Sequence, residues 1–396
     1  MAEQQQAGGL PEGWRETTLG EILILQRGHD LPAQDRKIGL YPIIASTGIV
    51  GSHSEAIVKA PGIVIGRSGS IGGGQYITKD FWPLNTTLYV KDFKGNDPRF
   101  CYYLLLTIDF KQFNVGGAVP TLNRNHIHPL PVISPPLPEQ KAIAAILGAL
   151  DDKIEANRKM NATLEGIARA LFKSWFVDFD PVRAKAEGRP SGLPVDLDAL
   201  FPASFTDSPL GEIPMGWRVG RLSDVLELAY GKALRSTDRN EGDIPVYGSG
   251  GITGYHSEPL VAGPGIIIGR KGTVGSINWE SRDFFPIDTV FYVLPKDGIP
   301  LAYLYCLVQT LGLSEMNTDA AVPGLNRENA YRLNVIIPPA PLLGKVEGVL
   351  NGLQNKSDEN VTQNQTLATL RDALLPKLIS GHIRVGDAEK IMEKAL

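Results

Sequence analysis

Hydrophobic residues follow two patterns along the chain: short aliphatic runs broken by turn residues, and longer stretches with helical spacing. Short runs bounded by glycine and proline clusters predict strands, here at 63–65, 76–78, 86–90, 266–268 and 289–294. Helical spacing predicts shorter helices at 99–109 and 300–311. Because strands and helices mix within the same segments, the pattern predicts the α/β class in its α+β form.

Each strand-rich segment leads through a proline-rich exit into a long stretch whose apolar residues recur every three or four positions. This spacing is typical of a coiled-coil seam. The seam residues are Ile143, Leu147, Leu150, Ile154, Leu164, Leu171 and Trp175 in the first stretch and Val346, Leu350, Leu353, Leu367, Leu374 and Leu378 in the second. We therefore predict two long spacer helices, at 137–177 and 340–380.

Four asparagines fall on these seams: Asn157 and Asn161 on the first, Asn360 and Asn364 on the second. A buried amide at such a position fixes helix register at a cost in stability. If the helices run antiparallel about a pseudo-twofold axis, Asn157 would face Asn364 and Asn161 would face Asn360. The alternative is that the helices bend there and the amides meet water.

The strand-rich segment occurs twice, with a constant offset of 203 residues. IVIGRSGSIG at 63–72 corresponds to IIIGRKGTVG at 266–275, and the correspondence runs without a gap from Gly13 to Pro136. A repeat of this length indicates a duplicated domain rather than a solenoid. The predicted organisation is a first domain (1–136), the first helix, a connector draped over the surface (178–212), a second domain (213–339), the second helix and a tail (381–396).

Composition places the chain among ordinary globular proteins, with 43% hydrophobic and 21% charged residues. No apolar run approaches the roughly 20 residues that a membrane span needs, and the polar start MAEQQQAGG does not resemble a signal peptide. Two cysteines at non-equivalent positions exclude a disulfide framework and favour a cytoplasmic location. The net charge of −4 argues against a free-standing nucleic-acid binder, so DNA binding would need locally placed cations or a partner.

Motifs for catalysis are missing from the sequence. There is no G-x-G-x-x-G loop opening a helix, no G-x-x-x-x-G-K-[ST] and no H-E-x-x-H. The double prolines of SPPL (134–137) and IPPA (337–340) lack the amide or carboxylate and the aromatic residue with which an amino-methyltransferase holds a flipped base. We therefore expect no catalytic residue, no metal site and no cofactor in this chain.

The glycine-rich loop that follows a predicted strand in each copy is the strongest candidate for DNA contact. Its side chains are Arg67, Ser68 and Ser70 in the first copy and Arg270, Lys271 and Thr273 in the second. Arginine, lysine and hydroxyl groups bind phosphates or base edges, although the glycines alone would also suit a hairpin turn. The pairs Asn123-Arg124 and Asn326-Arg327 could contact bases or cap the helical turn that follows.

Comparing the copies divides the candidates further. Positions that differ in polar character are Arg27/Tyr230, Ser52/Tyr255, Ser68/Lys271 and Gln75/Asn278. If the domains recognise different short sequences, base-contacting residues should be among them, whereas the shared pairs Arg67/Arg270, His53/His256 and Arg124/Arg327 would bind the DNA backbone or hold the loop. Lys232 completes the candidate set. Drift between the copies would produce the same differences.

The segment DDKIEANRKMNATLEGIARALFKSWFVDFDPVRAKAEG at 151–188 resembles the central region of type I restriction–modification specificity subunits. The PPLPEQKAIAAILGALDDKIE stretch, LGEIPMGW before the second copy and LLPKLISG at 374–381 fit the same family. One departure is the start of the second helix, Ala340-Pro341-Leu342-Leu343, which lacks the acidic residue of Leu137-Pro138-Glu139-Gln140. We therefore do not expect the two methyltransferase subunits that this family binds to dock equally on the two helices.

The resemblance implies two target-recognition domains separated by two antiparallel coiled-coil helices. Each domain would recognise one half of a bipartite double-stranded DNA target, and the helices would set the gap. The subunit would be non-catalytic, with two methyltransferase subunits carrying S-adenosylmethionine and with motor–nuclease subunits for cleavage. The alternatives are a stand-alone methyltransferase or nuclease, and a duplicated protein-interaction scaffold without DNA readout.

Overall fold

The computed structural model describes residues 10–317 and 324–395. The elements of the first repeat are, in chain order, β1 (Arg15–Thr18), α1 (Leu19–Ile22), β2 (Ile24–Arg27), β3 (Tyr41–Ala45), β4 (Gly48–His53), β5 (Gly62–Gly66), β6 (Gly72–Ile77), β7 (Trp82–Pro83), β8 (Thr87–Asp92), α2 (Pro98–Leu106), α3 (Arg124–Ile127), β9 (Pro131–Ser134) and α4 (Leu137–Phe176).

The rest of the chain contains a second, similar series. Its elements are α5 (Asp180–Ala186), α6 (Val195–Asp198), β10 (Phe205–Ser208), β11 (Gly211–Pro214), β12 (Arg218–Arg221), α7 (Leu222–Val225), β13 (Leu226–Tyr230), β14 (Ile244–Gly248), β15 (Gly251–His256), β16 (Gly265–Gly269), β17 (Ile277–Glu280), β18 (Phe285–Pro286), β19 (Val290–Pro295), α8 (Leu301–Gln309), α9 (Arg327–Tyr331), β20 (Asn334–Ile337), α10 (Ala340–Ile379) and α11 (Val385–Ala395).

The two repeats form the same sheets. The first builds β2-β8-β5-β6, β4-β3-β7 and β1-β9, and the second builds β13-β19-β16-β17, β15-β14-β18 and β12-β20. Register is also shared, because Ile63 pairs with Tyr76 on β6 just as Ile266 pairs with Trp279 on β17. The predicted fold class, two tandem homologous α+β domains with two long helices, is confirmed.

The chain divides into two compact units, each of which contains one domain and half of each long helix. The first comprises the described part of 1–156 and 363–396. Here the start of α4 runs antiparallel to the end of α10, because Asp151 binds Arg371 (2.7 Å) whereas Glu139, earlier on α4, binds Arg384 (2.9 Å). The core of this unit joins Phe100 of α2 to apolar residues of both helix halves.

The second unit comprises Asn157–Thr362. Its core joins Leu304 of α8 to Phe172 and Trp175 from the second half of α4 and to Val346 and Leu350 from the first half of α10. The first unit therefore uses the first half of α4 and the second half of α10, and the second unit uses the other two halves.

The seam asparagines are placed as follows. Asn360 donates from Nδ2 to Oδ1 of Asn161 (2.8 Å), and Asn161 donates from its own Nδ2 to the carbonyl oxygen of Ser357 (3.1 Å). These two asparagines therefore face each other, as the antiparallel register predicts. Asn157 is only 1% exposed, and Asn364 is half-buried. The role of the four amides in fixing register, and the facing of Asn157 and Asn364, stay predictions.

The connector was expected to lie on the surface, and this expectation is wrong. Residues 178–212 form α5, α6, β10 and the start of β11, and Phe179, Val182, Leu197 and Phe201 join the core of the second unit. Phe179 and Phe201 contact the Trp217 ring, with centroids 5.7 and 6.3 Å apart. In the first unit the tail contributes α11, whose Ala388 is fully buried; residue 396 of the predicted tail lies outside the described residues.

Over the part of the chain that the structure describes, no helix is both long enough and apolar enough to span a membrane.

Candidate nucleic-acid interface

A cleft in the first unit brings four of the predicted contact residues together. Its volume is about 710 Å³, and its lining includes Arg27 at the end of β2, Arg67 after β5, and Asn123 with Arg124 at the start of α3. The carboxylate of Asp30 lies 3.9 Å from the Arg27 guanidinium and also lines the cleft. Three arginines against one acid leave the cleft cationic, which suits an anionic ligand such as a phosphate.

The backbone around Arg67 explains why this side chain is held at the cleft. The amides of Arg67 and Ser68 both donate to the carbonyl of Thr86 (2.9 and 3.0 Å), and the amide of Leu122 donates to the carbonyl of Arg67 (2.8 Å). A Cβ on Gly66 would lie 1.9 Å from the carbonyl oxygen of Ser70. The loop is therefore a fixed tight turn that requires glycine, and the arginine is positioned by it.

The second unit builds the same loop. The amides of Arg270 and Lys271 donate to the carbonyl of Thr289 (2.9 and 3.0 Å), and the amide of Leu325 donates to the carbonyl of Arg270 (2.8 Å). A Cβ on Gly269 would lie 2.1 Å from the carbonyl oxygen of Thr273. These three backbone hydrogen bonds are the same in both copies.

What differs is the group beside the two shared arginines. Where the first unit has Arg27, the second has Tyr230, whose ring lies 4.9 Å from the Arg270 guanidinium carbon and 4.9 Å from that of Arg327. Such cation–π contacts hold a guanidinium in place without neutralising it. Tyr230 remains 49% exposed. The second cluster therefore presents two arginines, with Glu328 3.7 Å from Arg327, and an aromatic hydroxyl, against three arginines and Asp30 in the first.

The two shared histidines are buried and support a turn, which is one of the two alternatives that the sequence left open. His53 and His256 are 5% and 7% exposed. Nδ1 of His53 accepts from the amide of Lys37 (3.0 Å), and Nδ1 of His256 accepts from the amide of Asn240 (3.0 Å). Because the rings are buried and their Nδ1 atoms are used, these histidines hold a turn.

The shared asparagines are helix caps, the alternative that the sequence left open. Asn123 Oδ1 accepts from the amide of Asn125 (3.0 Å), and Asn326 Oδ1 accepts from the amides of Glu328 (2.9 Å) and Asn329 (3.2 Å). Both side-chain oxygens satisfy amides that a short helix would leave unpaired. They set the start of α3 and α9, and so the position of Arg124 and Arg327.

The remaining candidates are dispersed. Ser52 and Tyr255 are exposed on β4 and β15, and Ser70, Thr273 and Lys232 are exposed in loops. Ser68 and Lys271 form β-bridges to Thr121 and Gly324. Gln75 donates to the carbonyl of Ala45 (3.5 Å). Asn278 lines a different cavity of about 390 Å³, next to the long helices of the second unit.

Asp30 and Thr121 line the first cleft but were not predicted. Asp30 lies three residues after Arg27, a spacing that could have suggested the ion pair. Thr121 is brought to the cleft by its β-bridge to Ser68, a long-range pairing that no local pattern marks. Across the described ranges, no group of three or more His, Cys, Asp or Glu residues is arranged to hold a metal ion.

The domains also differ in how they are joined to the helices. In the first unit Tyr103 donates to Asp151 (2.7 Å), Asp151 binds Arg371, and Arg99 binds Asp152 (2.6 Å). Burial, and then the Asp151 carboxylate, raise the pKa of Tyr103 above its usual range, so this phenol stays a donor. The equivalent residues of the second unit are Cys306, Gln354, Ala168, Ala302 and Asn355. Most of these smaller or neutral side chains line the cavity of about 390 Å³.

Comparison with known proteins gives a consistent result. The family model described as "Type I restriction modification DNA specificity domain" matches residues 11–166 and 214–342. The HindI specificity subunit of Haemophilus influenzae is 25% identical over 387 residues, covering 79% of this chain and 84% of the relative. The MjaIX specificity subunit of Methanocaldococcus jannaschii is 27% identical over 323 residues, covering 72% and 69%.

Among solved structures, a type I restriction–modification S subunit from M. genitalium superposes with a TM-score of 0.63. The alignment covers 95% of this chain and 98% of that chain at 20% identity. At this level of identity the likeness concerns the fold.

Proposed function

Because the chain belongs to the family of type I restriction–modification DNA specificity subunits, which are non-catalytic, we propose that each of its units recognises one half of a bipartite DNA target. The observation that carries the proposal is the shared set of three backbone hydrogen bonds around Arg67 and Arg270, with a different side chain beside the arginine in each unit. The shared backbone would let Arg67 and Arg270 make the same contact with DNA in both units. The different neighbours, Arg27 and Tyr230, would let the two units recognise different half-sites.

The chemistry of the two clusters fits this division. Arg67, Arg124 and their equivalents Arg270 and Arg327 are suited to phosphate oxygens, which fix the position of a protein on a duplex without conveying sequence. Arg27 can donate two hydrogen bonds to guanine O6 and N7, the commonest specific contact in the major groove. Tyr230 cannot make that paired donation. The first unit is therefore expected to favour a guanine at a position where the second does not.

The rest of the assembly follows from this role. The net charge of −4 gives the free chain little long-range attraction for DNA, so two methyltransferase subunits would complete the DNA-binding surface. They would dock on the long helices and carry S-adenosylmethionine, and motor–nuclease subunits would join for cleavage. The setting would be the cytoplasm, where chromosomal DNA is available to such a complex in bacteria and archaea.

Selection from a random duplex library tests the function. The chain is co-expressed with its methyltransferase subunit, and bound or methylated DNA is sequenced. We expect a motif of two short blocks separated by a gap of fixed length. A complex that is intact and methylates DNA without any enriched motif would contradict the proposal and favour the scaffold alternative.

A further inference from the structure

A second pair of equivalent turns projects from the two units, at residues 36–40 and 239–243; we call them the tip turns. The first carries Ile38, which is 98% exposed, and Leu40, which is 92% exposed. The equivalent residues of the second are Glu241 and Asp243, which are also exposed. One position on the surface is thus apolar in the first unit and acidic in the second.

Both tip turns are held by the same frame. The amide of Lys37 donates to Nδ1 of the buried His53, and the amide of Asn240 donates to Nδ1 of the buried His256, each at 3.0 Å. Behind the turns, a Cβ on Gly39 would lie 2.3 Å from the carbonyl oxygen of His53, and one on Gly242 would lie 2.4 Å from that of His256. Glycine is needed there because the two backbones touch.

A buried histidine and an obligatory glycine at the base of an exposed turn fix its backbone while leaving its side chains free to vary. Binding residues are found disproportionately on loops that a rigid scaffold holds in position. Fully exposed Ile38 and Leu40 also make no core contact that would account for apolar side chains at these positions. The frame is therefore built to present the tip residues to something outside the chain.

Contacts within the first unit place the tip turn next to the arginine cleft. Arg36 Nε donates to the carbonyl of Leu31 (3.3 Å), and the preceding residue, Asp30, lines the cleft. The Trp82 ring contacts His53 beneath the tip turn (5.2 Å between centroids) and His29 at the cleft (6.5 Å). A ligand bound at the cleft and longer than a few nucleotides would reach the tip turn.

We propose that the tip turns contact base edges, Ile38 and Leu40 packing on a thymine methyl group and Glu241 or Asp243 accepting a hydrogen bond from a cytosine amino group. This inference rests on the proposed DNA-recognition function. A carboxylate beside phosphates is repelled, so an acidic tip turn favours a base edge that donates a hydrogen bond. In the major groove cytosine presents its N4 amino donor, and thymine presents the C5 methyl group.

The test exchanges the tips. Ile38→Glu/Leu40→Asp gives the first tip turn the acids of the second, and Glu241→Ile/Asp243→Leu makes the reciprocal change. Each variant is purified with the methyltransferase partner and its motif is determined by library selection. We expect thymine preference at one position of the first half-site to shift toward cytosine by about tenfold, and the reciprocal shift in the second half-site.

Val195→Glu is the matched control, because Val195 is an 87% exposed apolar residue outside both tip turns; its motif should not change. Thermal unfolding checks that the variants fold, and the two reciprocal variants make the test independent of either one. An unchanged motif overturns the inference, and so does a uniform loss of methylation at an unchanged motif, since the tips would then touch something other than bases. If the unmodified chain selects no motif, the proposed function and this inference fall together.

Discussion

At the candidate DNA-binding loop, some residues are shared by the two units and fix the backbone, whereas others differ between the units. Gly66 and Gly269 permit the tight turn, Asn123 and Asn326 cap the helix that follows, and the paired arginines emerge from this frame. Because the frame hydrogen bonds are the same in both units, the arginines occupy equivalent places. The residues that differ between the units therefore lie beside arginines that are held in the same way in both.

Loss of one of these arginines should weaken DNA binding in a way that depends on salt. Arg67→Ala removes a cation from the cleft, and each lost phosphate contact lowers the slope of log K against log salt by about 1. Affinity for specific and nonspecific DNA should fall together in the methyltransferase complex. Fluorescence anisotropy between about 50 and 200 mM salt measures both quantities.

Arg189→Ala is the control for this variant, because Arg189 is exposed and already paired with Glu187 (2.5 Å) outside the cleft. It should leave the affinity and the salt slope unchanged. An Arg67→Ala complex with unaltered slope would show that the cleft does not meet the DNA backbone.

At the same scale the sequence marked some residues that line the cleft and missed others for identifiable reasons. Arg67 and Arg124 were found because the repeat marks them. The sequence left two roles open for His53, because its neighbours in Gly-Ser-His-Ser are polar and nothing in the local pattern reveals that the ring is buried. Thr121 was missed because a long-range bridge brings it to the cleft.

The long helices are the elements that join the domains, and their sequence pattern was the most predictable part of the fold. A seam repeated over many turns gives a strong periodic signal, and α4 and α10 begin and end within one residue of the predicted ranges. The burial of the connector was not predicted, for the opposite reason. Its buried residues, such as Phe179, Leu197 and Phe201, are isolated among prolines, glycines and acids, so no period announces them.

The Asn161–Asn360 pair should show energetic coupling across the helices. Asn360→Leu or Asn161→Leu leaves the other amide without its partner, and we expect each to lower the free energy of unfolding by about 1–2 kcal/mol. The double variant should lose less than the sum, because no unpaired amide remains. Urea unfolding of the full chain measures this cycle.

Asn355→Leu, an exposed position on α10, serves as the control and should change the free energy of unfolding by less than about 0.5 kcal/mol. Strictly additive effects of the two seam substitutions would show that the hydrogen bond does not couple the helices.

For the whole molecule, we propose that the helices set the gap in the DNA target and that the domains recognise its sequence. Each unit uses the first half of one long helix and the second half of the other. The distance between the recognised half-sites should follow helix length.

Removing one heptad from each helix should shorten the recognised gap while leaving both half-sites unchanged. Seven residues correspond to about 10 Å of helix, or about three base pairs of DNA. Paired deletions keep the seams in register with each other. Library selection with the shortened chain gives the new gap, and a gap that stays the same would refute the spacer role.

Exchanging one domain for the other tests most directly whether each domain recognises its own half-site. Residues 13–136 are replaced by a second copy of 216–339, which the gap-free repeat makes possible without changing chain length. After thermal unfolding confirms that the chain folds, its motif is selected with the methyltransferase partner. We expect the first half-site to be replaced by an inverted copy of the second, with the original gap. Retention of the original first half-site would contradict this expectation.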